Sequence, residues 1–143
     1  MIDLRQRSVR TLAWLGDVEF EREVRFRLAR RGDFSTDRLD SMKSRIVRAE
    51  AQARLLERIL PELRADELAL VQRGRNAAPP AARRGKGRST REYRAATGLE
   101  ALIAGWCIDE VSGRARFDAL LGPLLDEAIT DALAADARRP RRG

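Results

Sequence analysis

Between Leu39 and Leu60 the apolar residues Leu39, Met42, Ile46, Ala49, Ala53, Leu56 and Leu60 recur at alternating intervals of three and four. Only a helix gathers residues at that spacing on one face. The stretch therefore reads as one unbroken seam made to lie along another helix, with Leu55 and Ile59 widening it. It is short and alanine-rich, which favours packing inside a domain over a free coiled coil. Pro61 then forces a break or a restart.

The flanking segments follow the same period. A first helix runs from Leu4 or Ser8 to Arg31, with Val9, Leu12, Ala13, Leu15, Val18, Phe20, Val24 and Leu28 on its apolar side. Gly16 interrupts it at a cost of about 1 kcal/mol against Ala, and a glycine there signals something packing or binding closely. Gly32 ends the helix, and Ser35 or Thr36 caps the next. Asp66 to Arg73 reads as a short helix stopped by Gly74, with Leu68 and Val71 inward. Arg75 to Arg88, RNAAPPAARRGKGR, is a long loop in which Pro79-Pro80, Gly85 and Gly87 exclude regular structure. Ser89-Thr90-Arg91-Glu92 fits a capping box and opens a helix through Tyr93, Glu100 and Trp106 that ends near Gly113. A last helix spans Arg116 to Ala134, kinked or split at Gly122-Pro123. No stretch has a β period, and aromatics are only 5%. The expectation is an all-α single domain over residues 4–134, with a basic loop at 75–88 inside it and a disordered basic tail at 135–143.

The formal net charge is +7, and its placement is uneven. Residues 73–94 hold Arg73, Arg75, Arg83, Arg84, Lys86, Arg88, Arg91 and Arg94 against Glu92 alone, a surplus equal to that of the whole chain. The tail adds Arg138, Arg139, Arg141 and Arg142. A segment so basic points to a polyanion, nucleic acid first; the alternative is a solvated loop. With no histidine, Ser-His-Asp and Cys-His catalysis are excluded. One cysteine, Cys107, provides neither a disulfide framework nor a zinc set and suits a reducing compartment. There is no signal-peptide core and no apolar run near the roughly 18–20 residues of a membrane span. The expectation is a cytoplasmic protein with no membrane partner.

Two acids stand out. Asp17 lies within LAWLGDVEFE (Leu12–Glu21), with Ala13, Phe20 and Val24 at helical spacing from it. Glu100 lies within Gly98–Cys107, facing Ala96, Thr97, Ile103, Ala104 and Cys107. A carboxylate on an apolar face is costly unless compensated. Either acid has a plainer reading: Asp17 after Gly16 caps a new helix, and Thr97-Gly98-Leu99-Glu100 is itself a capping box. If the two meet, they repel unless a cation sits between them, and oxygen-only ligands suit Mg2+, with Mn2+ as an alternative. Next to a basic loop, the chemistry that follows is metal-assisted phosphodiester hydrolysis.

These residues carry a resemblance. LAWLGDVEFE resembles the leucine-glycine-aspartate stretch of the ribonuclease III catalytic domain, and YRAATGLEALIAG (Tyr93–Gly105) resembles its second acidic segment. Ala51-Gln52-Ala53, Val71-Gln72-Arg73-Gly74-Arg75-Asn76, and Tyr93-Arg94 before Thr97-Gly98 resemble the small branch without an RNA-binding domain, Mini-ribonuclease III. The resemblance covers about Thr11 to Leu125. It implies an all-α endonuclease, a homodimer, and Mg2+-dependent cleavage of double-stranded RNA in 23S ribosomal RNA maturation. It maps Asp17 and Glu100 onto the two central catalytic, metal-binding acids, with Glu21 and Thr97 as supporting residues behind them. Larger relatives carry further acids where this chain has Arg10, Ala13 and Thr97. With no separate RNA-binding domain, Arg73, Arg75, Asn76, Arg83, Arg84, Lys86 and Arg88 are the expected RNA contacts, and Gly98–Ile108 is the expected dimer surface. The competing readings are a catalytically weak or inactive helical RNA-binding or ribosome-assembly protein, and a nucleoid-type DNA binder.

Overall fold

The computed structural model describes residues 2–77 and 90–140. Within them the chain forms seven α-helices: α1 (Val9–Arg31), α2 (Thr36–Val47), α3 (Ala49–Ile59), α4 (Ala65–Asn76), α5 (Thr90–Ile108), α6 (Ser112–Leu120) and α7 (Gly122–Ala137). Short 3-10 turns at Leu4–Gln6 and Leu60–Glu62 precede α1 and follow α3. No strand occurs among the described residues, as the sequence period requires.

The helix α5 is the axis of the fold. Leu99, Ala101, Leu102, Ile103 and Ala104 are all buried, so it is covered around its whole circumference, by α1, α3, α4 and α6. Phe20, Val24 and Leu28 of α1 meet Leu99, Leu102 and Ile103 in one core, which Met42, Ile46, Leu56, Phe117, Leu125 and Ile129 complete. The expected dimer surface, Gly98–Ile108, is therefore corrected in its central part: those side chains are spent on the chain's own core. The exposed large apolar residues lie elsewhere, with Trp14 69% and Val18 58% exposed on α1.

The seam is not one helix. It breaks at Arg48, whose backbone is extended (φ −65°, ψ 155°). No proline or glycine causes this. Gln52 does much of the stabilising, because its Nε2 donates to the Val47 carbonyl at 2.8 Å, an oxygen the ended helix leaves free. Gly74 does not stop α4, which continues through Arg75 to Asn76. A Cβ on Gly74 would come within 2.6 Å of the Gly98 Cα, so this glycine serves a close helix crossing. Gly32 follows α1 in extended backbone rather than the left-handed form.

The later boundaries also move. The helix α5 ends at Ile108, and Gly113 lies inside α6, pressed against the Trp106 carbonyl. The split at Gly122-Pro123 is as expected, with the proline in the first turn of α7. Residues 135–137 continue α7 instead of beginning a disordered tail. Asp136 takes two hydrogen bonds from Arg38, at 2.6 and 2.9 Å, and Arg139 donates to Ser41 at 2.8 Å. These contacts hold Asp136 and Arg139 to α2. The capping box at Ser89–Glu92 lies partly outside the described residues.

Candidate functional site

The helices α1 and α5 cross with no side chain between them at one point. A Cβ on Gly16 would overlap the main-chain carbonyl of Glu100, so glycine is required there by proximity. The crossing explains how acids from distant parts of the chain converge. Asp17 and Glu100 line one open cavity of about 380 Å³. Asp17 is exposed at its mouth and Glu100 half-buried, and neither caps a helix: Asp17 is in the third turn of the unbroken α1 and Glu100 in the middle of α5.

From α1 the wall also receives Arg10, Ala13 and Trp14, and from α5 Tyr93 and Thr97. Thus all three positions at which larger relatives of the resembled family carry acids, Arg10, Ala13 and Thr97, face the same space as Asp17 and Glu100. The Thr97 hydroxyl donates to the Tyr93 carbonyl at 3.0 Å, keeping its lone pairs available. The break between α2 and α3 supplies the far wall through Val47, Arg48 and Gln52.

The donors on this wall are carboxylate, carboxamide and hydroxyl oxygens, which fit a hard divalent cation and not a thiolate-seeking one. Among the described residues no group of three acids or cysteines is placed to hold a metal ion. A cation here would depend on two carboxylates, neutral oxygens and water. Arg10 and Arg48 add positive charge on the same wall, suited to an anionic substrate.

Glu21 takes a different place. It lies outside the cavity wall and binds Lys43 of α2 at 2.6 Å and Arg25 at 3.3 Å. The Lys43 ammonium holds its carboxyl below the ordinary range against the opposing effect of burial. It fastens α1 to α2 one turn beyond Asp17.

The expected RNA contacts divide. Arg75 lies over the α4–α5 crossing, its Cγ within 3.3 Å of a Cβ built on Gly98, next to Thr97 of the cavity wall. Asn76 is exposed and accepts from Gln72 at 3.2 Å. Arg73 lines a separate cavity of about 430 Å³ beside Trp106 and Leu70. Arg83, Arg84, Lys86 and Arg88 lie outside the described residues.

Sequence pattern alone gives Gln52 and Arg48 no role; Gln52 stands out only within the Ala51-Gln52-Ala53 resemblance. The available signal was a polar side chain in an apolar seam, three residues after Ala49.

Comparison with known proteins finds relatives in sequence and in fold. The Ribonuclease III domain model matches residues 10–110. A Mini-ribonuclease 3 of Desulfitobacterium hafniense is 43% identical over 106 residues, covering 73% of this chain and 62% of the relative. A Mini-ribonuclease 3 of Symbiobacterium thermophilum is 43% identical over 93 residues, covering 65% and 70%. The chain thus spans less than two thirds of the first relative's length and slightly more of the second's. A crystal structure of a Fusobacterium nucleatum protein superposes with a TM-score of 0.73 at 22% identity, covering 87% of this chain and 98% of that one, a likeness of fold.

Proposed function

The chain belongs to the ribonuclease III family, in its Mini-ribonuclease III branch, and from that premise we propose that it is a Mg2+-dependent endonuclease cutting double-stranded RNA at the Asp17–Glu100 cavity. The observation that carries this reading is the glycine crossing that brings those two carboxylates to one space. Asp17 and Glu100 would hold the cation. When bound, it supplies an acidified water and positive charge for the phosphate in the transition state. Arg10 and Arg48 attract the phosphodiester and orient it. Thr97 and Gln52 line the space around the acids with neutral oxygens.

A-form RNA is recognised by shape, through phosphates and 2′-hydroxyls across the shallow minor groove. Arg75, beside Gly98 and so next to Thr97, supplies part of that contact, and the basic residues that follow it in the sequence supply further charge for it. The substrate in this reading is a 23S ribosomal RNA precursor. Trp14, on the wall of the acid cavity, and Val18 one turn on form an exposed apolar strip on α1. A second copy covering that strip gives a two-fold dimer with one acid pair for each RNA strand.

The test is cleavage of end-labelled double-stranded RNA with Mg2+ and with chelator, beside Asp17→Asn and Glu100→Gln. Mg2+-dependent cutting by the parent, lost in both variants, is the expected result. A second reading, an RNA-binding protein of weak or no activity, draws on Arg10, Ala13 and Thr97 standing where larger relatives have acids. Tight binding without cutting on several duplexes would establish it instead.

A further inference from the structure

Gln52 is 3% exposed, lines the acid cavity, and is only half satisfied. Its Nε2 donates to the Val47 carbonyl at 2.8 Å, which fixes the carboxamide orientation. Its Oε1 is buried and accepts no hydrogen bond among the described residues. A buried acceptor left without a donor costs about 1–3 kcal/mol, and such groups in native proteins call for a partner. The orphaned oxygen belongs to a residue on the wall shared by Asp17 and Glu100, in a site whose carboxylates are too few to fill a cation's coordination shell.

We propose that Gln52 is the third protein oxygen of the cation site, its Oε1 accepting a hydrogen bond from a water that the cation holds. This rests on the metal-nuclease reading above. The burial order favours a water-mediated role over direct ligation: Asp17 is exposed, Glu100 half-buried and Gln52 deepest. Mg2+ retains several waters beside one or two carboxylates, and each bound water needs acceptors. The same side chain closes the break between α2 and α3 through its amide nitrogen, so the loop geometry that presents Arg48 and the oxygen that orders the water are set together. Gln52 is thus a positioning residue.

The test is Mn2+ binding to the purified full chain without RNA, by calorimetry or by the loss of the free-ion paramagnetic resonance signal. It is read beside thermal unfolding of the metal-free protein. Gln52→Met, which keeps volume and removes the oxygen, is expected to weaken Mn2+ binding about tenfold, the usual effect of losing an outer-shell partner. Gln52→Glu, which keeps an acceptor oxygen and loses the Val47 contact, is expected to bind Mn2+ at least as tightly as the parent while melting lower. A folded Gln52→Met protein with parental Mn2+ affinity overturns the proposal and leaves a purely structural glutamine. If Gln52→Met does not fold, Gln52→Glu decides: weakened Mn2+ binding overturns the proposal, and retained binding supports it. Asp17→Asn separates this from the wider reading. Parental Mn2+ affinity in Asp17→Asn would remove the acid-cavity metal site itself, whatever Gln52 does.

Discussion

Gly16 of α1 rests directly on the main-chain carbonyl of Glu100 in α5, leaving no room for a Cβ. The contact is made by one candidate catalytic residue and the immediate neighbour of the other. Gly16→Ala gains helix propensity of about 1 kcal/mol but must push two packed helices apart, an overpacking that costs about 1–3 kcal/mol or more. Net destabilisation in urea is expected, with single-turnover RNA cleavage falling further than the loss of folded protein accounts for. An alanine variant as stable and active as the parent would show that the crossing is not tight.

Glu67 is a second determinant of the α4–α5–α6 arrangement. Its carboxylate accepts from Trp106 Nε1 at 2.6 Å, from Arg116 at 2.6 and 3.0 Å, and from the Arg64 amide at 2.8 Å. Burial pushes its pKa up, but the hydrogen bonds from Arg116, the Arg64 amide and Trp106 outweigh it and hold the group at about 2 against an ordinary 4.5. A depressed carboxyl stabilises the fold fully above the unfolded value. That contribution is expected to be lost as pH falls from about 4.5 towards 2. Glu67→Gln should cost about 3 kcal/mol near neutrality, since it leaves Arg116 without its counter-charge. The gap between parent and variant should close as pH drops through this window in parallel urea titrations. A gap independent of pH would refute the ionised-pair account.

Much of the fold was legible because helical period and caps are local properties. Ser8 and Ser35 cap α1 and α2 through their hydroxyls, as residues of their type should. The break at Arg48 was not legible, because it is closed by a side chain reaching back five residues to Val47. Gly74 was misread because a helix stop and a close crossing use the same residue, and only the position of Gly98 distinguishes them. For the site, the lone acids on apolar stretches single out Asp17 and Glu100, and both line one cavity. Gln52 carries no such mark: a neutral amide in an alanine-rich seam gains its meaning only when the helix break turns it to the same cavity.

The α4 arginines separate RNA affinity from folding. Arg73 and Arg75 are two positions apart, hence on nearly opposite sides of the helix; Arg75 lies against Gly98, the chain neighbour of the cavity-wall residue Thr97, whereas Arg73 lines the other cavity. Arg75→Ala is expected to weaken binding of every duplex sequence alike and to reduce the logarithmic salt slope by about one. Arg73→Ala should change the slope less. Filter binding across salt concentrations checks both, and a sequence-dependent loss would contradict phosphate contact.

Trp14 lines the acid cavity and is 69% exposed, with Val18 one turn on at 58%. Neighbouring apolar side chains this open to water are costly, and burying a large aromatic contributes a few kcal/mol. If a second copy covers them, Trp14→Glu places two carboxylates near a two-fold axis and splits the assembly. Sedimentation equilibrium is expected to show a dimer for the parent and a monomer for Trp14→Glu, with an unchanged helical circular-dichroism spectrum because neither residue belongs to the core. Cleavage should fall with the dimer and recover as protein concentration rises. Leu12→Ala, by contrast, removes a fully buried side chain two residues away and should lower the melting temperature without that concentration dependence. A monomeric parent that cuts both strands would overturn the shared-axis arrangement and place the whole duplex on one acid pair.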